Sequence, residues 1–130
     1  VCGGSVPANC ERGYFIEPTV FADVSNQSSL AQDEIFGPVL CVIPYEDDDD
    51  AVRIANDSRY GLSGAVTGSD TDRAERIARR IRTGTMSVNG GQYFSVDAPF
   101  GGYRESGLGR ENGSMGYEEY LETKLIAAPA

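Results

Sequence analysis

Histidine and tryptophan are both missing from this sequence of 130 residues. Without an imidazole the usual base near neutral pH is absent, and neither Ser-His-Asp nor Cys-His catalysis can be assembled within the chain. Basic side chains are scarce: 11 Lys and Arg stand against 20 Asp and Glu, for a net charge of -9. That balance argues against nucleic acid as a partner, because neutralising phosphates takes a clustered basic face. No apolar run approaches the roughly 18 residues of a membrane span, and no basic stretch leading into an apolar one opens the chain, so no membrane partner is expected. The three cysteines, Cys2, Cys10 and Cys41, lack the C-x-x-C spacing of a zinc or redox site. They are expected to be reduced thiols of a cytoplasmic protein, with no metal. An initiator methionine is also absent, and Val1-Cys2-Gly3-Gly4 reads as the middle of a longer chain.

What is present has the balance of one soluble domain, with 40% hydrophobic and 24% charged residues. Residues 14–24 are rich in aromatic and β-branched types, and Pro18 within them predicts an edge or a break between two short strands. Residues 28–35 fit a short helix with a serine cap, stopped by Gly37-Pro38. The continuous apolar run 39–43 predicts a strand buried on both faces, the mark of a parallel sheet. Four consecutive aspartates, 47–50, precede Ala51 and favour the positive end of a helix dipole. A strand over 62–67 follows, then a helix over 72–82 capped by Asp70 or Thr71, with Ala74, Ile77, Ala78 and Ile81 on one face. Another strand covers 85–89. This alternation predicts an α/β fold, a mostly parallel sheet with crossover helices. The glycine-rich stretch 90–116 holds Tyr93, Phe94, Phe100 and Tyr103 without a period and reads as a long functional loop. A short helix over 115–123 and a terminal strand over 125–128 complete the expectation.

Glycine patterns give no phosphate site. The run from Gly107 through Gly109 to Gly113 has an interval one residue too long for a dinucleotide turn. Gly102 and Gly107 have phosphate-loop spacing, yet Leu108 and Gly109 stand where lysine and a hydroxyl residue are needed. The aspartate run lacks the loop glycine and distal glutamate of a calcium site, and reads as a helix start.

Asp33-Glu34-Ile35-Phe36-Gly37-Pro38 resembles the Glu-Glu-Ile-Phe-Gly-Pro signature of the NAD(P)-dependent aldehyde dehydrogenase superfamily. Four further strings follow that family's order and spacing: G-Y-F-I-E-P-T-V-F at 13–21, Y-G-L-S-G-A-V at 60–66, G-T-M-S-V-N at 84–89 and A-P-F-G-G-Y-R-E-S-G-L-G-R-E at 98–111. Together they cover nearly the whole chain. The resemblance implies the C-terminal part of a catalytic domain over residues 1–122, with 123–130 as a strand used in homo-oligomer assembly.

It further implies an enzyme that oxidises a small-molecule aldehyde to a carboxylic acid with NAD or NADP through a cysteine thiohemiacetal. Glu34 matches the residue that hydrogen-bonds the nicotinamide ribose, and Phe36 the aromatic residue beside the nicotinamide ring. A carboxylate accepting hydroxyls and an aromatic wall suit the holding of a hydride acceptor. From local sequence alone, the same residues also read as a helix end with Phe36 in the core. Phe94 and Phe100 fall where the family has walls of its aldehyde tunnel, Phe100 being fixed by the A-P-F-G-G frame. Asp33 and Arg104 depart from the family's usual glutamate and lysine. No cysteine here has the F-x-x-x-G-Q-x-C context of the family's nucleophile, and its E-L-G-G-K base is missing. The chain therefore reads as having no catalytic residue of its own, as inactive in isolation and weak in cofactor binding. The remainder of the enzyme chain would be its partner. The competing reading is a noncatalytic interaction module derived from the same fold.

Overall fold

The computed structural model describes residues 1–10, 12–91 and 94–129; Tyr93 lies outside them. They form two compact units, Val1–Ser58 and Arg59–Ala130.

In the first unit, β1 (Thr19–Phe21) runs parallel to β2 (Val39–Cys41), with Thr19 opposite Val39 and Phe21 opposite Cys41. The strand begins directly after Pro18, as the missing N–H of proline requires. Cys2 flanks β1 on its other side through two backbone bonds with Val20, each 2.9 Å. Between the strands lies a single turn of helix, α1 (Ser29–Gln32), shorter than the expected 28–35. Its N-cap Ser28 makes no side-chain cap bond, because its hydroxyl donates to the Ser25 carbonyl instead. Helix α2 (Asp48–Asn56) starts as the aspartates predict: Asp47 caps it by accepting from the Asp50 N–H at 2.9 Å, and Val52 is its buried residue.

The doubly buried strand expected over 39–43 is not found. β2 stops at Cys41, Leu40 is 59% exposed and Val42 45% exposed. Burial on both faces needs a layer on each, and among the described residues β2 has one strand partner and leaves Leu40 and Val42 open to solvent.

The second unit pairs β3 (Ser63–Val66) in parallel with β4 (Thr85–Val88), Ser63 opposite Thr85 and Val66 opposite Val88. Helix α3 (Thr71–Ala78) connects them and packs on both strands. Its small Ala74 and Ala78 are buried and allow the close approach, while Ile77 and Ile81 are half-buried. Asp70 caps α3 through the Arg73 N–H at 3.0 Å. The helix ends before the expected Arg82 because Arg80 and Ile81 donate to Ile77 and Ala78, tightening the last turn. The alternating α/β pattern is thus present as two parallel pairs, not as one continuous sheet, among the described residues.

The glycine-rich segment is more ordered than its composition predicts. Phe100 and Glu111 exchange two backbone bonds of 2.7 Å, and Arg110 Nη1 donates to the Gly102 carbonyl at 2.9 Å and the Gly109 carbonyl at 2.6 Å. A 3-10 turn (Arg104–Ser106) places the Ser106 hydroxyl to accept from the Gly61 N–H at 2.9 Å. Gly84 sits so close to the Gly101 carbonyl that any Cβ there would collide with it. Helix α4 spans Gly113–Glu118, earlier and shorter than expected. Residues 125–128 form no strand: they find no partner among the described residues, and Leu125 and Ile126 are 91% and 83% exposed.

The hydrophobic core is small. Val52, Ala74 and Ala78 are its buried apolar residues among those described. The chain exposes 10278 Å². Two separate globules of about 6 and 8 kDa would together expose only about 8,000 Å² by the scaling of folded monomers.

Candidate functional site

Glu34 and Phe36 lie on the link between α1 and β2 in the first unit. The helix ends where the Asp33 N–H donates to the Ser29 carbonyl, and the chain then turns tightly, with Val39 N–H donating to the Gly37 carbonyl at 2.7 Å. Phe36 has φ of 54°, in the left-handed region that a bulky side chain rarely occupies. Its ring is 92% exposed. The reading of Phe36 as a core residue at a helix end is therefore corrected: the backbone turns its side chain outward. Glu34 is exposed, and its carboxylate has no hydrogen bond or ion pair among the described residues. Both acceptor oxygens are open to a donor.

Phe94 and Phe100 belong to the second unit and are brought together. Their rings meet edge to face, with centroids 6.3 Å apart and planes at 69°. Phe94 is 83% exposed, whereas Phe100 is half-buried and tied by its backbone to Glu111. Phe100 lines a cavity of about 320 Å³ with Leu62, Leu108, Arg110 and Tyr120. A wider, open cavity of about 730 Å³ lies between α3 and β4, lined by Ala78, Ile81, Met86, Val88 and Tyr103.

Sequence reading overlooked the side chains that hold these segments. Arg110 also lies over the Tyr103 ring at 5.4 Å, so one guanidinium joins both arms of the 98–111 segment. The Gly-Arg-Glu string marked its position but not its contacts. The thiols are free; Cys2 is exposed, and Cys10 and Cys41 are half-buried. Cys41 is therefore less enclosed than an apolar strand interior implies; its Sγ lies 3.5 Å from the Leu30 carbonyl oxygen. No group of acidic or cysteine side chains among the described residues is arranged to hold a metal ion.

The model of the aldehyde dehydrogenase family matches residues 1–126. The chain belongs to that family. Among its relatives is the 3-succinoylsemialdehyde-pyridine dehydrogenase of a Pseudomonas species, 50% identical over 127 residues, which cover 97% of this chain and 26% of the relative. Among solved structures, a Mycobacterium tuberculosis aldehyde dehydrogenase complexed with NAD+ superposes with a TM-score of 0.90 at 50% identity, covering 99% of this chain and 26% of that one. A betaine aldehyde dehydrogenase from Staphylococcus aureus, in complex with NAD+, gives 0.87 at 42% identity, over 94% of this chain and 25% of that one. This aldehyde dehydrogenase chain thus spans about a quarter of the length of the relatives it matches.

Proposed function

We propose that the chain is the C-terminal part of the catalytic domain of an enzyme that oxidises an aldehyde to a carboxylic acid with NAD or NADP. In this reading, residues 1–122 carry cofactor and substrate contacts and 123–130 pair in a homo-oligomer. The observation that carries it is Phe36, an aromatic ring held outward by a strained backbone beside an unengaged carboxylate. Strain at a bulky residue persists where surrounding structure or function requires it, and an isolated module gains nothing from exposing this ring.

The residues fit the dinucleotide end they would serve. Glu34 offers two acceptor oxygens for ribose hydroxyls, and charge-assisted bonds of that kind orient a ligand strongly. Phe36 offers a flat apolar face. NAD or NADP, when bound, accepts the hydride; Glu34 and Phe36 hold its reactive end in line. Phe94 and Phe100 form a wall against which an aldehyde's apolar part packs, and they exclude water there. The nucleophile and the general base are supplied by other segments. The excess exposed surface supports a reading in which further protein covers this piece.

Kinetics of the full-length protein test the assignment. Glu34→Ala should slow hydride transfer by about 10-fold or more, the loss expected for bonds to a charged acceptor. The aldehyde KM should stay near its wild-type value. Phe100→Ala should do the reverse, raising the aldehyde KM while the cofactor KM is unchanged. Wild-type hydride transfer in Glu34→Ala would remove Glu34 from the cofactor site.

A further inference from the structure

Asp57 terminates α2, and its own N–H donates to the Arg53 and Ile54 carbonyls, so the helix end fixes its place. From there it holds the segment that leads to Glu34. Its Oδ2 accepts from Gln27 Nε2 at 2.6 Å and from Asn26 Nδ2 at 3.1 Å. Its backbone carbonyl accepts from Gln32 Nε2 at 2.8 Å and from Asn26 Nδ2 at 3.2 Å. Gln32 Nε2 donates in addition to the Asn26 carbonyl at 2.6 Å. Three amide side chains, two just before α1 and one on its last residue, therefore converge on one residue that is 25 to 31 positions away.

The arrangement matters because α1 cannot hold itself. A single turn of four residues lies far below the length at which a helix is stable alone, and its N-cap serine supplies no cap bond. Gln32 is its last residue, two before Glu34, so the anchor lies next to the carboxylate whose position matters. We infer that Asp57 is a positioning residue: with Asn26, Gln27 and Gln32 it sets the place of α1 and thereby the place of the Glu34 carboxylate. This inference rests on the reading of Glu34 as the ribose acceptor. A shift of the anchor displaces the carboxylate without changing its chemistry, and misplacement on the order of 1 Å is enough to slow a positioned reaction.

The test uses the full-length protein, an aldehyde it oxidises and whichever of NAD or NADP it accepts, with single-turnover hydride transfer, both KM values and thermal melting recorded. Asp57→Ala, which removes the Oδ2 bonds to Gln27 and Asn26 and leaves the backbone carbonyl to Gln32, should slow hydride transfer about fivefold and raise the cofactor KM, with the aldehyde KM unchanged, as for loss of a positioning contact. Asp57→Asn keeps one acceptor oxygen for Gln27 and should restore most of the rate. In a Glu34→Ala background, Asp57→Ala should add less than about twofold, because residues acting through one group are not additive. Gln27→Ala, an exposed change that spares the helix end, should slow transfer about twofold with an unchanged melting temperature; it decides the matter if Asp57→Ala fails to fold. Additive effects of Asp57→Ala and Glu34→Ala would overturn the positioning role while leaving Glu34 as the cofactor contact. So would wild-type rates in Asp57→Ala and Gln27→Ala alongside a slow Glu34→Ala. A wild-type rate in Glu34→Ala would overturn the ribose reading and this inference together.

Discussion

The two units use the same local plan, a parallel strand pair joined by a helical connection, yet they are held by different forces. In Arg59–Ala130, α3 lies across both β3 and β4 and buries Ala74 and Ala78. In Val1–Ser58 the connecting helix α1 is one turn long, contributes no buried residue, and is fastened by side-chain amides to Asp57. Apolar burial is roughly proportional to area and tolerates small displacements, whereas hydrogen bonds are lost when geometry shifts. The first unit should therefore respond to polar substitutions at a few positions, and the second to changes of volume. The difference also suits their proposed roles, an oriented carboxylate in one and an aromatic wall in the other.

The largest expected effect is loss of activity outside the parent. The isolated chain should show no aldehyde-dependent reduction of NAD or NADP, measured by absorbance of the reduced nicotinamide, because the proposed reading puts the nucleophile on other segments of the enzyme. Turnover abolished by alanine at Cys2, Cys10 or Cys41 would break the division of labour described above.

Gly84→Ala should be the most damaging single change to the second unit. The added Cβ meets the Gly101 carbonyl, which is backbone and cannot swing aside; a destabilisation of about 2–4 kcal/mol is expected from such overpacking. Hydrogen exchange should show the loss at β3, β4 and residues 98–111, with β1 and β2 protected as before. Equal loss in both units would mean that they unfold as one.

Removal of the helix caps sharpens the contrast further. Asp70→Ala and Asp47→Ala each remove one side-chain bond to a backbone N–H, a cost of about 1 kcal/mol apiece. Because α3 packs on a strand pair, Asp70→Ala should also loosen β3 and β4 in hydrogen exchange, whereas Asp47→Ala should affect α2 alone.

The smallest effect is a pH dependence in the first unit. Arg53 beside Asp50, helped by the Glu46 N–H, holds the Asp50 carboxyl below its ordinary range. Because the folded pKa lies below the unfolded one, its contribution is present above the unfolded value of about 3.8 and is lost as pH falls through the folded one. Melting curves from pH 5 down to pH 2 should show a slightly shallower acid decline in Asp50→Asn. The effect will be small, since Arg53 is exposed and the pair lies at the surface, where solvent screens it.

Much of the fold was legible from local chemistry. The caps at Asp47 and Asp70, the strand start after Pro18, and the strands at 63–66 and 85–88 follow from propensity, capping and turn residues acting over a few positions. Element ends were less legible: α3 stops four residues early because the backbone tightens after Ala78, and no side chain announces it. The motif strings pointed to Glu34, Phe36 and Phe100, and the segment before the last string to Phe94, but not to the outward turn of Phe36 or the edge-to-face meeting of Phe94 with Phe100.

By itself, then, the sequence determined the family through its motif strings, and the order of elements from β1 to β4 with the caps at Asp47 and Asp70, because such local elements depend on neighbours within about one turn. Tertiary structure alone decided which apolar residues are covered. The run 39–43 and the end 125–128 carry the composition of buried strands, yet burial is a property of what lies against a strand, and among the described residues Leu40, Leu125 and Ile126 stay exposed. It alone also brought Asp57 to Asn26, Gln27 and Gln32, since a contact across 25 to 31 residues depends on where the path of the backbone returns.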